Sequence, residues 1–177
     1  MFNQHAAEQF NFCQGFLPVA MNTAANTADV VSLKGYNKCL IIFYKAVGTA
    51  GDDPTITLLQ GTDVAFGTNK ALNITRVDKK QAATNLLSTG TYTLSTSASA
   101  ASHDTFSTNT WTNSDLAEQA ALVVIEYRAE ELDIDNGFCC ITATVADVGT
   151  NAQLGALLMI GLDPKFAVDP LPSAIVD

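Results

Sequence analysis

Few side chains in this 177-residue sequence could carry chemistry, and their spacing decides how far each one goes. The two histidines are His5 and His103. A metal site inside a small barrel draws on clustered histidines with a carboxylate, and two isolated imidazoles cannot supply that. Ser102, His103 and Asp104 have the residue types of a hydrolytic triad. Triads, however, are assembled from separate elements, and chain neighbours point away from each other. The acidic run 130–137 (EELDIDNG) invites a calcium test. An EF-hand loop needs Gly at its sixth position and Glu at its twelfth. Counted from Asp133, Gly137 is fifth and Thr144 is twelfth, so the spacing fails. The plainer expectation is a tight hairpin turn, with Asn136-Gly137 supplying the positive φ. Residues 51–54 (GDDP) also read as a turn. Cys13, Cys39, Cys139 and Cys140 include no CxxC pair, and adjacent residues of a strand face opposite ways. All four are expected to be reduced, mostly buried thiols. The lone Trp111, set among Thr and Asn, is either an anchor for its loop or a platform for stacking a sugar. Neither GxGxxG nor GxxxxGK occurs. The expectation is therefore no catalytic residue, no metal and no cofactor.

The elements that would position these residues are short strands. Residues 122–162 hold three apolar, β-branched-rich runs separated by the acidic turn and by a polar segment at 147–153. Strands are predicted at 29–33, 38–47, 55–60, 71–77, 91–95, 122–128, 138–146 and 154–162. In 55–60, Ile56 and Leu58 should face inward; in 71–77, Leu72 and Ile74; in 91–95, Tyr92 and Leu94. Residues 38–47 (KCLIIFYKAV) and 154–162 are apolar on both faces and read as strands covered on both sides. Residues 95–113 read as a long Ser/Thr/Asn-rich loop. Residues 115–121 could form one helical turn, with Asp115 capping and Glu118 three residues on. Long helical segments are missing. About eight strands with this spacing predict an all-β, antiparallel, jelly-roll-like β-sandwich, with an immunoglobulin-like sandwich as the next architecture.

The ends differ from the middle. Residues 1–28 set Phe10, Phe12, Phe16 and Leu17 among Asn, Gln, Ala and Thr with no sustained period, and contain Pro18 and the low-complexity run 22–28. Residues 163–177 carry Pro164, Pro170 and Pro172, which prevent regular structure, with Phe166, Val168, Leu171, Ile175 and Val176 at intervals. The division predicted is an N-terminal arm (1–28), a jelly-roll domain (29–162) and a C-terminal arm (163–177). Phe10, Phe12, Phe16, Leu17, Phe166, Leu171 and Ile175 are the candidate partner-interface residues.

Composition bounds the function. The chain is 47% hydrophobic and only 15% charged, with a net charge of −9 and a pI near 4.4. Nine scattered Lys and Arg residues give no phosphate-binding patch, which argues against nucleic acid and against an anionic membrane surface. No apolar run approaches the roughly 20 residues of a spanning helix. Residues 1–12 lack a basic n-region and make a poor signal peptide. The sequon Asn73-Ile74-Thr75 is then expected to be incidental.

Four strings taken together carry a resemblance: 45–62 (KAVGTAGDDPTITLLQGT), 117–137 (AEQAALVVIEYRAEELDIDNG), 143–160 (ATVADVGTNAQLGALLMI) and 170–177 (PLPSAIVD). They resemble a family of small virion structural proteins of tailed bacteriophages, found among proteins that coat or cement the capsid. The resemblance runs from about residue 26 onward, and it transfers no individual functional residue. It implies a jelly-roll cement protein, not an enzyme, on the capsid exterior, forming a homotrimer that binds the major capsid protein. The alternative is a carbohydrate- or receptor-binding β-sandwich module of a phage tail or fibre, which would use Trp111.

Overall fold

The computed structural model describes residues 5–166 and 171–175. Among them are thirteen strands: β1 (Asn11–Ala20), β2 (Asn26–Thr27), β3 (Val31–Ser32), β4 (Tyr36–Lys45), β5 (Ile56–Gly61), β6 (Asn69–Ala71), β7 (Arg76–Ala82), β8 (Thr93–Thr96), β9 (Asp104–Ser107), β10 (Thr110–Asn113), β11 (Ala120–Arg128), β12 (Cys140–Val145) and β13 (Leu154–Pro164). They form two antiparallel sheets. One has the order β1-β13-β4-β11-β7-β8, and the other β2-β12-β5-β10-β9, with β3 on β12 and β6 on β5.

Eight of these strands carry the architecture: β1, β2, β4, β5, β10, β11, β12 and β13. The first pairs with the eighth, the second with the seventh, the third with the sixth and the fourth with the fifth. That is one long antiparallel hairpin rolled over itself into two sheets, a jelly roll. The segment from β6 to β9 is an insertion that widens both sheets. Inward side chains from the six-stranded sheet (Cys39, Ile41, Phe43, Val123, Ile125, Met159) meet those of the other (Ile56, Leu58, Trp111, Ile141, Val145) in one core. Each strand contributes at a spacing of two, so alternation sets which residues are buried.

Several expectations are corrected. Residues 11–20 are no arm but β1, the first strand of the jelly roll. Bulges between Gln14 and Phe16 and between Phe16 and Val19 break its alternation, so no period of two survives in the sequence. Pro18 is tolerated because β1 is an edge strand, paired on one side only. Gly15 lies in the bulge, where a Cβ would come within 2.4 Å of the Leu157 carbonyl oxygen. At the other end, β13 runs on to Pro164, and residues 171–175 lie against the domain. Ala174 is buried, its carbonyl accepts from Ser32 N at 2.5 Å, and the Pro172 carbonyl accepts from Asn11 Nδ2 at 2.9 Å and from the Tyr36 hydroxyl. Val168, Pro170 and Val176 lie outside the described residues.

The register of β8 is the reverse of expectation: Tyr92 and Leu94 are exposed, while Ser95 is buried and its Oγ accepts from Ala101 N at 2.9 Å. Leu72 and Ile74 are buried as expected, but in a loop between β6 and β7. The region 95–113 is not one loop, because it contains β9 and β10. Residues 115–119 form turns without a helix, and 120–121 already belong to β11. The acidic run is no hairpin. It holds two short 3-10 turns, Ala129–Glu131 and Ile134–Asn136, and Gly137 at φ +82° ends the second as the chain crosses between sheets.

Candidate interaction surface

The outer face of the six-stranded sheet is the least ordinary surface of the molecule. An antiparallel sheet with one face on a core normally turns polar residues to water on the other. Here β4 turns out Leu40, Ile42 and Tyr44, β13 turns out Leu154, Ala156 and Leu158, and β11 turns out Leu122 and Val124. On β1, Phe12 and Leu17 project from either side of the first bulge. Leu17 is 66% exposed, Leu154 58%, Tyr44 56% and Phe12 51%. Phe12, Leu17, Ile42, Tyr44, Leu122 and Leu158 line a shallow groove of about 530 Å³ across this face. The double-sided apolar runs in β4 and β13 had predicted cover on both sides. The described chain covers only one.

Charge surrounds the face in neutralised pairs. Lys38 Nζ lies 3.5 Å from Glu126, and Arg76 Nε donates to Asp78 at 2.8 Å. Lys80 is the exception: it stands on the same face opposite Leu122 without an acid partner among the described residues and lies 4.5 Å over the Tyr92 ring.

The candidate interface residues divide by position. Phe12 and Leu17 belong to the apolar face. Phe10 is partly exposed and packs edge-on against Phe12, with centroids 6.4 Å apart. Phe166 and Ile175 are exposed and Leu171 is half-buried. Because the start of β1 pairs with the end of β13, Phe10 and Phe166 fall at the same end of the sandwich. Residues 171–175 join that end through Asn11, Tyr36 and Ser32. Phe16 is the exception: the bulge turns it into the core, where it is buried rather than presented. Sequence reasoning missed Tyr44, Leu154 and Leu158, although the apolar outer positions of β4 and β13 were visible as runs without alternation.

The residues with chemical potential are engaged in structure. His103 Nδ1 is 3.2 Å from Ser114 Oγ and 3.3 Å from Asp115 Oδ1. Both contacts use the same ring nitrogen, so this trio cannot pass a proton from serine through imidazole to carboxylate. Asp104, beside His103 in sequence, is buried elsewhere. It accepts from Lys79 Nζ at 2.5 Å and from Asn113 Nδ2 at 2.7 Å, an ion pair that joins the two sheets. Asp133 takes Asn136 Nδ2 on both oxygens at 2.9 and 2.8 Å and pairs with Lys70, whose ammonium holds the carboxyl below its usual range. Among the described residues no group of His, Cys, Asp and Glu is arranged to hold a metal. Trp111 is fully buried on β10, a framework strand, so it is part of the core and cannot stack a sugar.

All four cysteines are free. Cys139 lies just outside β12, and its sulfur is 3.7 Å from that of Cys140, so the strand rule that would have separated them does not apply. Burial raises the Cys39 thiol well above its ordinary 9.0, with Cys13 adding to the effect, and raises Tyr127 above its ordinary 10.0, with Glu131 adding. Cys13 and Tyr36 are raised by burial too. Lys45 shifts the other way. It is buried at the end of β4, where it donates to the carbonyls of Leu116 and, at 2.6 Å, Gln119. Burial pushes it down to about 8 against the opposing charge of Asp53.

These shifts set the alkaline limit of stability. A thiol or phenol kept neutral in the fold contributes fully below its unfolded value, and that contribution is lost as the unfolded chain ionises above it. Lys45 has the opposite sign: from about pH 8 the unfolded chain holds the proton more tightly, so rising pH favours the fold. Four groups against one predict a thermal midpoint that falls above pH 9. Cys39→Ala is expected to reduce the slope of unfolding free energy there by up to about 1.4 kcal/mol per pH unit. An unchanged slope in urea titrations at pH 8 to 11 would show that Cys39 ionises equally in both states.

Neither a family model nor a curated protein matches the sequence. Among solved structures, the SPBc2 prophage-derived protein YomS overlaps 86% of this chain and 93% of its own, at 11% identity and a TM-score of 0.38. A structure of infectious bursal disease virus, Gt strain, overlaps 96% of this chain and 46% of its own, at 10% identity and a TM-score of 0.26. Both are likenesses of outline: at such TM-scores they carry no argument about role, and the two-sheet sandwich rests on the strand pairing itself.

Proposed function

We propose that this protein is a structural component of a tailed-phage virion, binding the outer surface of the capsid as a homotrimer and bracing contacts between capsomers. The observation that carries the reading is an apolar sheet face open to solvent on a domain in which His103, Asp104, Asp133 and Lys45 are each held in internal bonds. Such a domain binds rather than turns over substrate. The four strings that resemble cement proteins lie mostly in β5, β11, β12, β13 and the connections around them, part of the framework of the jelly roll. A net charge of −9 suits an exterior position better than one facing packaged DNA. Exposed Phe10, Phe166 and Ile175 at one end give the trimer a set of apolar contacts for the shell, repeated about its axis. The mechanism is mechanical. Apolar surface buried across capsomer boundaries stabilises the shell at roughly 25 cal/mol per Å² before ordering costs.

The test is addition of the purified protein to phage particles that lack it. Saturable co-sedimentation and a higher temperature of DNA release are expected. Particles that neither retain the protein nor gain heat resistance would remove the proposal.

A further inference from the structure

We propose that Lys79 and Asn113 join in an isopeptide bond inside the sandwich, with Asp104 moving the protons. The proposal rests on these three side chains and is independent of any place in a virion. Lys79 comes from β7 in the six-stranded sheet, while Asp104 and Asn113 are paired with each other on β9 and β10 of the other. Asp104 Oδ1 accepts from Lys79 Nζ at 2.5 Å and from Asn113 Nδ2 at 2.7 Å, so amine and amide meet on one carboxylate oxygen. Asn113 is fully buried, and the side chains of Lys79 and Asp104 almost wholly so. The indole ring of Trp111, 5.8 Å from Lys79 Nζ, walls one side. A site closed in this way keeps water from competing with the amine.

The arrangement holds each part that acyl transfer needs. Lys79 supplies the nucleophile. The amide is oriented from both ends: a carboxylate only accepts, so Nδ2 faces Asp104, and Asp115 N donates to Asn113 Oδ1 at 3.0 Å. That N–H stands where charge develops on the amide oxygen. Asp104 Oδ2 is buried with no protein partner, which leaves an oxygen open to a proton. The Lys79 ammonium gives a proton to Asp104, and the freed lone pair of Nζ attacks Asn113 Cγ. The carbonyl electron pair moves to Oδ1 and returns as the Cγ–Nδ2 bond breaks. Asp104 passes its proton to Nδ2 and takes a second from Nζ. Ammonia leaves, and Asp104 keeps the one proton that the ammonium brought in. One amide replaces another, so the step needs no oxidant, reductant or cofactor. Its product ties β7, in the inserted segment, to the framework strand β10. The ion pair is the state before that step, and the unlinked chain is the reference for the stability of Lys79 variants.

The experiment follows the intact mass of the full chain, denatured and reduced, after purification in the cold and transfer to 37 °C. The 18.7 kDa chain is expected to lose about 17 Da, the mass of one ammonia. Trypsin should then release residues 77–80 branched onto residues 81–128, because no Lys or Arg lies between 81 and 127. Lys79→Arg and Asp104→Asn are expected to keep their full mass, with circular dichroism to verify the fold. The wild-type digest decides the matter even where a variant fails to fold. A wild type at full mass after three days overturns the proposal. So does a loss of about 18 Da mapped to Asp104, which would make that carboxyl the acyl group. A loss of about 17 Da without the branched peptide is a succinimide at Asn113, and it overturns the proposal as well.

Discussion

Lys79→Met is expected to lower the unfolding free energy by about 3–5 kcal/mol, because it strands a buried carboxylate. Lys79 comes from β7 in one sheet and Asp104 from β9 in the other, both side chains are almost wholly buried, and the Nζ to Oδ1 distance is 2.5 Å. Asp104 Oδ2 is buried without a protein partner, so after the substitution only Asn113 Nδ2 would remain to meet the charge. Domains of this kind have about 5–15 kcal/mol in hand, so the loss is a large fraction of the whole, on the order of 10 °C in midpoint. Removing both charges tests the cause. Lys79→Met with Asp104→Leu should recover most of the loss, since a buried pair is roughly neutral against apolar residues of like size. Recovery should stop short by the roughly 1–3 kcal/mol of an Asn113 amide left without its acceptor. Equal urea midpoints for the single variant and the wild type would show that water reaches Asp104 and that the pair is not a buried one.

Trp111→Ala is expected to cost about 3–5 kcal/mol through the cavity it leaves. Trp111 is among the largest fully buried side chains, held on β10 between β5 and β9. Its Nε1 has no hydrogen-bond partner, so Trp111→Phe should cost far less, keeping most of the volume and deleting an unpaired donor. Lys79 Nζ lies 5.8 Å over the indole ring, so the Trp111 and Lys79 losses should not add. The same variants separate packing from recognition. A Trp111→Ala protein with wild-type stability that had lost binding to a sugar would reverse the assignment and restore a lectin-like role.

The sequence was informative wherever period-two alternation ran undisturbed. Ile56 and Leu58, the β11 face of Val123, Ile125 and Tyr127, and Ile141 with Ala143 and Val145 all point inward as their spacing predicted. It was silent where a local irregularity mixed the faces. The bulges in β1 hid a framework strand inside an apparent arm, and the edge position of β8 let its register reverse. Pairing was not legible at all. The three runs in 122–162 look like neighbours, yet β11 and β13 flank β4 in one sheet while β12 lies in the other.

By itself, then, the sequence determined an all-β, acidic, lightly charged chain with no assembled chemical motif, because composition and strand period are local properties. Only the tertiary structure decided which apolar residues are core and which are surface. In β4 and β13 both faces are apolar, and alternation cannot say which one the chain will cover. Rolling the hairpin into two sheets buried Ile41, Phe43, Leu157 and Met159 between them. It left Tyr44, Leu154 and Leu158 facing outward, and that choice, made by long-range pairing, created the candidate interface.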